Sequence, residues 1–130
     1  MKMNKKGFTL IELLAVIVVL AIIALIATPI VMNTIKKAQE GADARSVEAY
    51  GKGLESAYYQ YLIDNPTMTA EQKTALDGNL KTLTVTNSGD TVNCETAKMQ
   101  NETVVLNNCT VGSRTQKYSY TTAKGASKTA

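Results

Sequence analysis

Residues 8–32, FTLIELLAVIVVLAIIALIATPIVM, form an apolar block with one charged side chain, Glu12, near its start. From residue 13 to residue 35 no side chain carries a charge, a run longer than the ~20 residues a helix needs to cross the hydrocarbon layer of a bilayer. The block therefore reads as a membrane helix. Ahead of it lies MKMNKKG, with Lys2, Lys5 and Lys6, and that basic bias keeps the N-terminus cytoplasmic while the remainder is exported. A secretory signal would carry a small-residue cleavage site after its apolar core. An Ala-x-Ala match can be drawn between Ala21 and Ala27, but the apolar run continues through it to Met32.

Glu12 is a carboxylate in an apolar helix, which is costly in lipid and calls for a cation. Cleavage before Phe8 would create one, a terminal ammonium one helical turn away, because residues 8 and 12 are i, i+4 neighbours. The plainer alternative is an anchor helix whose Glu12 snorkels to the interface. Lys5-Lys6-Gly7-Phe8-Thr9-Leu10-Ile11-Glu12 resembles the processing motif of type IV prepilins and related pseudopilins, in which a membrane aspartyl peptidase cuts after the Gly and N-methylates the new terminal residue. The resemblance covers residues 5–37 and includes Pro29, where many members carry a helix-distorting proline. It implies cleavage between Gly7 and Phe8, an N-methylated Phe8, and pairing of Glu12 with the Phe8 amine of an adjoining subunit. It also implies that the helix around Pro29 unwinds when subunits assemble; a simple kink is the alternative.

Composition narrows the function further. At 130 residues there is room for one small domain beside the membrane helix. The net charge of +3 resides in the leader: without Lys2, Lys5 and Lys6, eleven basic and eleven acidic side chains remain. No broad basic field is left to attract nucleic acid. The chain has no His, so Ser-His-Asp triads, Cys-His dyads and His-type metal sites are excluded.

Beyond the block, Ile35, Ala38, Ala42, Val47, Tyr50, Leu54, Ala57, Tyr58, Tyr61 and Leu62 recur at helical spacing, opposite Lys36, Lys37, Glu40, Asp43, Arg45, Glu48, Lys52 and Glu55. This predicts an amphipathic helix continuing out of the membrane. From residue 8 to 64, at ~1.5 Å per residue, it would reach about 85 Å if unbroken. Pro29, with its missing donor, and Gly41, Gly51 and Gly53 weaken it. The helix is expected to stop at Asn65-Pro66. Thr69-Ala70-Glu71-Gln72 then reads as a capping box opening a short helix to about Leu76, ended by Asp77-Gly78. Strands are expected over residues 80–87, 103–106 and 117–122, with a fourth around 108–111, a turn at Asn87-Ser88-Gly89-Asp90, and a mobile tail over 123–130.

Cys94 and Cys109 lie in the exported part, where an even, minimal pair is most simply one disulfide. Closing a ~15-residue loop stabilises by about 3 kcal/mol in the chain-entropy model, which matters for a head this small. Many pilins carry one such bridge, so the resemblance agrees. Free thiols are the alternative, and two ligands do not make a metal site. Asn101-Glu102-Thr103 and Asn108-Cys109-Thr110 match the N-glycosylation triplet, a pattern common by chance. Tyr58, Tyr59 and Tyr61 read as a helix packing on a sheet. Asp90 and Glu95 are too sparse for calcium, which takes six to eight oxygens.

The sequence thus predicts an α+β, type IV pilin-like chain: leader 1–7, membrane or filament-core helix 8–35, amphipathic helix 36–65, and a small disulfide-stapled antiparallel β head over 66–130. Catalytic residues, metal and cofactor are expected to be none. By resemblance its partners are other copies of itself through the N-terminal helices, the prepilin peptidase, and an inner-membrane assembly platform with its ATPase motor. It would reside in the cell membrane before assembly and in an extracellular pilus afterwards. A pseudopilin of a secretion or competence system is the alternative within that architecture. A membrane-tethered binding module is the alternative from another class.

Overall fold

The computed structural model describes residues 7–86 and 89–129. Helix α1 spans Leu10–Asp64 and helix α2 Ala70–Gly78, followed by a 3-10 turn at Leu80–Thr82. Strands β1 (Val92–Gln100), β2 (Thr103–Val111), β3 (Tyr118–Thr121) and β4 (Gly125–Lys128) follow in an antiparallel sheet of order β1-β2-β3-β4. The chain divides into two compact units, residues 1–38 and 39–130.

In the first unit α1 runs through Pro29 as one helix. Proline's missing N–H leaves the carbonyl four residues earlier without its intrahelical donor. The hydroxyls of Thr28 and Thr34 donate to the carbonyls of Ala24 and Ile30, at 2.6 and 3.0 Å, so neither presents an unpaired polar group to an apolar surrounding.

The second unit is built where α1 crosses the sheet. Asp43, Val47, Gly51, Leu54 and Tyr58 are its buried helix positions, spaced by four, four, three and four as one helix face requires. They meet Val92, Cys94, Ala97, Val104, Leu106, Cys109, Val111, Tyr118 and Tyr120 from the strands. Each fully buried aliphatic side chain here contributes about 1.5–3 kcal/mol relative to an exposed one. The expected stripe was right at Val47, Leu54 and Tyr58 and wrong at both margins. Ile35, Ala42 and Tyr61 are exposed, whereas Asp43, placed on the solvent face, is 2% exposed. Gly51 belongs to the stripe because a Cβ there would run into the Tyr120 ring. Of the tyrosine cluster, only Tyr58 packs on the core.

Asp43 is buried because Arg114 neutralises it. The guanidinium donates from Nε and Nη2 to the two Asp43 oxygens at 2.8 and 2.6 Å, and Nη2 also reaches Asp90 Oδ2 at 2.7 Å. Hydrogen bonding to Asp43, and then to Asp90, pushes the Arg114 pKa up. The planar fork makes the contact bidentate.

The expected strand over 80–87 is not formed. Asn79 accepts from Lys81 N–H at 3.2 Å and Leu83 N–H bonds to Leu80 O at 3.0 Å, which winds Leu80–Thr82 into the 3-10 turn. Residues 83–86 pair with no strand, and Asn87-Ser88 of the expected turn lies outside the described residues. Strand β1 was missed, and the segments 103–106 and 108–111 are one strand, β2. Both β1 and β2 change phase midway: Val92 and Cys94 are buried, then Ala97; Val111 and Cys109, then Leu106 and Val104. Asn108, at φ 50°, marks the step, and two residues of β2, Asn107 and Asn108, there oppose one of β3, Ser119. This is a β-bulge, and Asn tolerates the left-handed conformation. The β1–β2 hairpin closes through Asn101 and Glu102, both with positive φ, as a two-residue primed turn needs. Cys94 and Cys109 are directly opposed in this hairpin and form a buried disulfide.

The tail expected to be mobile forms β4. Thr129 N–H bonds to Lys117 O at 2.8 Å, Glu48 accepts from Ala126 N–H at 3.2 Å, and Lys128 Nζ bonds to Glu40 Oε1 at 2.9 Å. The edge strand is thereby fastened to α1 by groups that no local pattern reveals.

Candidate functional site

The chemistry-bearing residues expected from the sequence cluster at the start of α1. Lys2, Lys5 and Lys6 of the leader lie outside the described residues. Gly7 and Phe8 precede the helix as exposed, non-helical backbone, with Phe8 91% exposed. A Cβ at Gly7 would meet nothing within 4 Å, so no packing among the described residues requires glycine there. An exposed, uncrowded Gly-Phe junction is what an external catalyst can grip.

Two residues on, the helix begins with a reciprocal cap. Thr9 N–H donates to Glu12 Oε2 at 2.9 Å, and Glu12 N–H donates to Thr9 Oγ1 at 3.3 Å. This satisfies two of the donors that every helix start leaves open. The cap had a sequence signal, Thr-x-x-Glu before an apolar run, which is masked by reading Glu12 only as a membrane charge. Among the described residues Glu12 makes no bond to Phe8, whose nitrogen is a backbone amide. The cap nevertheless holds the carboxylate at the helix N-terminus, against the residue that follows Phe8, where the helix dipole favours negative charge.

From Phe8 to Ile35 the large apolar side chains are between 49% and 91% exposed, and the most apolar 18-residue window of α1 has mean hydropathy 3.2 with none of it buried. So large a continuous apolar surface requires a cover of lipid or protein. Pro29 lies within this segment. The disulfide residues Cys94 and Cys109 are brought together, as described, in the head rather than near the helix start. Among the described residues no group of three or more Asp, Glu, Cys or His side chains is arranged to hold a metal ion.

On the head, the polar side of the hairpin carries Glu95, which accepts from Lys117 Nζ at 2.7 Å and Asn108 Nδ2 at 2.8 Å. The Lys117 and Asn108 bonds hold its carboxyl below the usual range. At the far end of α1, Tyr58 donates to Asp77 Oδ1 at 2.7 Å, and burial, reinforced by that carboxylate, pushes its pKa up to about 12. Both arrangements fasten elements together; neither pairs a nucleophile with a base.

Residues 2–28 match the family model for the prokaryotic N-terminal methylation motif. The Type IV wide pilus major component PilA4 of Thermus thermophilus is 37% identical over 78 residues, which is 60% of this chain and 56% of that protein. The chain thus spans little more than half of that relative's length. No solved structure gives a significant match. The methylation motif at the start of an exposed apolar helix, the four-stranded antiparallel sheet and the likeness to a pilus component make the chain similar to type IV pilin-like prepilins.

Proposed function

We propose that the chain is a structural subunit that polymerises through its N-terminal helix into a type IV pilus filament on the cell surface. The observation that carries this is the apolar surface between residues 8 and 35, which has no cover among the described residues. In the membrane, lipid covers it. In a fibre, the same segments of other copies would do so, exchanging lipid contact for helix–helix contact, a trade driven by packing rather than by water exclusion.

On this reading the events begin at the helix start. A prepilin peptidase cuts between Gly7 and Phe8 and methylates the new amine, and an assembly platform with its ATPase motor extracts the helix from the membrane. Cleavage turns the Phe8 nitrogen into a cation beside a carboxylate that Thr9 already holds in place. Glu12 then pairs with the Phe8 amine of an adjoining copy, which sets axial register, and the segment around Pro29 is where the helix loosens to fit. The likeness to a wide-pilus major component supports a filament over a short pseudopilus.

The test is fibre formation in cells carrying Gly7→Val or Glu12→Ala. The expected result is that Gly7→Val accumulates uncut in the membrane without fibres, while Glu12→Ala is cut but assembles poorly. Normal fibres from Gly7→Val would refute the processing route, and normal fibres from Glu12→Ala would remove its electrostatic half.

A further inference from the structure

A pocket of about 490 Å³ opens where the end of α1, the following turn, α2 and the 3-10 turn converge, within the volume range of small-molecule sites. Its wall includes Tyr61, Asn65, Met68, Gln72, Asn79 and Thr82, and none of its lining residues is charged. Three amides in this wall have one end fixed by the backbone. Asn65 Nδ2 donates to Tyr61 O at 2.9 Å, Gln72 Oε1 accepts from Thr69 N–H at 2.9 Å, and Asn79 Oδ1 accepts from Lys81 N–H at 3.2 Å. Because each partner is a backbone carbonyl or N–H, the orientation of each amide is determined. Asn65 Oδ1 is left as an acceptor, and Gln72 Nε2 and Asn79 Nδ2 as donors, none with a partner among the described residues. Tyr61 is 40% exposed beside them.

We propose that this pocket binds a neutral saccharide. A wall without charge offers an anion or cation no ionic partner. Fixed single donors and acceptors around an aromatic ring suit vicinal hydroxyls, which both donate and accept, and a pyranose face that stacks on the ring. An extended peptide is the poorer fit, because it would need an open sheet edge or a deep apolar socket. The pocket is formed within one chain, so binding does not depend on polymerisation.

The experiment is titration of the full-length, 15N-labelled chain in dodecylphosphocholine micelles, which carry no sugar, with a panel of glucose-, galactose-, mannose- and N-acetylhexosamine-terminated oligosaccharides. The expected result is saturable binding of at least one, with the side-chain amide signals of Asn65, Gln72 and Asn79 shifting most. Tyr61→Ala, which leaves the Tyr61 carbonyl in place, should weaken binding about tenfold or more. Asn79→Asp, which keeps the acceptor for Lys81 but replaces the free donor with a charge, should do the same, and Tyr59→Ala should bind as wild type. Absence of any binding, shifts centred elsewhere, full binding by a folded Tyr61→Ala or Asn79→Asp chain, or preference for charged sugars or peptides would each overturn the proposal.

Discussion

Gly51→Ala is the substitution for which local and tertiary effects have opposite signs. In an exposed helix interior, Gly→Ala stabilises by about 0.8–1 kcal/mol. At Gly51 the new Cβ would lie within 3.0 Å of three atoms of the Tyr120 ring, with Cζ at 2.7 Å, where ordinary contact begins near 3.4 Å. The ring has little room to retreat, being 2% exposed on β3 against the helix. Overpacking of this kind costs about 1–3 kcal/mol. The net expectation is a loss of about 1 kcal/mol, the middle of that range less the helix gain. Gly41, on the same helix, has nothing within 4 Å, so Gly41→Ala should show the local gain alone. For a domain of this size 1 kcal/mol moves the midpoint by about 4–8 °C. The assay is thermal unfolding of the full chain in detergent, followed by the near-ultraviolet circular dichroism of its buried tyrosines. Gly41→Ala should melt above wild type and Gly51→Ala below it. A Gly51→Ala chain as stable as Gly41→Ala would refute the packing of α1 on Tyr120.

Other outcomes follow from the same contacts. Arg114→Gln should destabilise more than Asp90→Asn, because it strands the buried Asp43 carboxylate whereas Asp90 is surface-exposed; urea midpoints of the two variants decide this. Glu102→Gly should stabilise by about 0.5–1 kcal/mol, since the turn holds residue 102 at φ 60° and glycine removes that strain at a smaller entropic cost; the same melts measure it. Tyr58 binds its proton more tightly folded than unfolded, so its contribution is whole below about pH 10 and is lost as pH rises through about 12. Absorbance titration of phenolate should show a late phase that coincides with unfolding and shrinks in Tyr58→Phe. The Cys94–Cys109 bridge is buried, so a water-soluble phosphine should reduce it only at the rate of unfolding, and Cys94→Ser with Cys109→Ser should lose about 3 kcal/mol.

What the sequence disclosed and what it hid divide along physical lines. Features carried by neighbours in the chain were legible: the uncharged run over residues 13–35, the helix stop before Pro66, and the Thr69–Gln72 capping box. Features that depend on a distant partner were not. Asp43 looks like any solvent-facing helix residue until Arg114, 71 positions away, reaches it. Gly51 looks like a weakness until Tyr120 fills the space above it. Strand β4, of sequence GASK, has almost no intrinsic strand preference and is held by Glu48, Glu40 and Lys117. Strand β1 was hidden because its alternation changes phase after Cys94. The Thr9–Glu12 cap is the exception: it was local and readable, and it was obscured by the stronger demand of a charge in an apolar helix.

The cap also gives the helix start two uses in sequence. Glu12 closes the helix N-terminus; on the proposed processing route the same carboxylate would face a new amine without having to find its position. On that proposal a local folding preference would set the register of a polymer, with Thr9 as a positioning residue for Glu12. Thr9→Val, which removes the hydroxyl but not the backbone donor, should leave processing intact and lower fibre yield less than Glu12→Ala.

The most direct measurement is the N-terminal sequence and intact mass of the chain in fibres sheared from native cells. A chain beginning at N-methylated Phe8, with its two cysteines oxidised, is the expected result and would join the Gly7–Phe8 cleavage to extracellular assembly. A chain found only in membranes and still beginning at Met1 would contradict the account and leave a tethered head in its place.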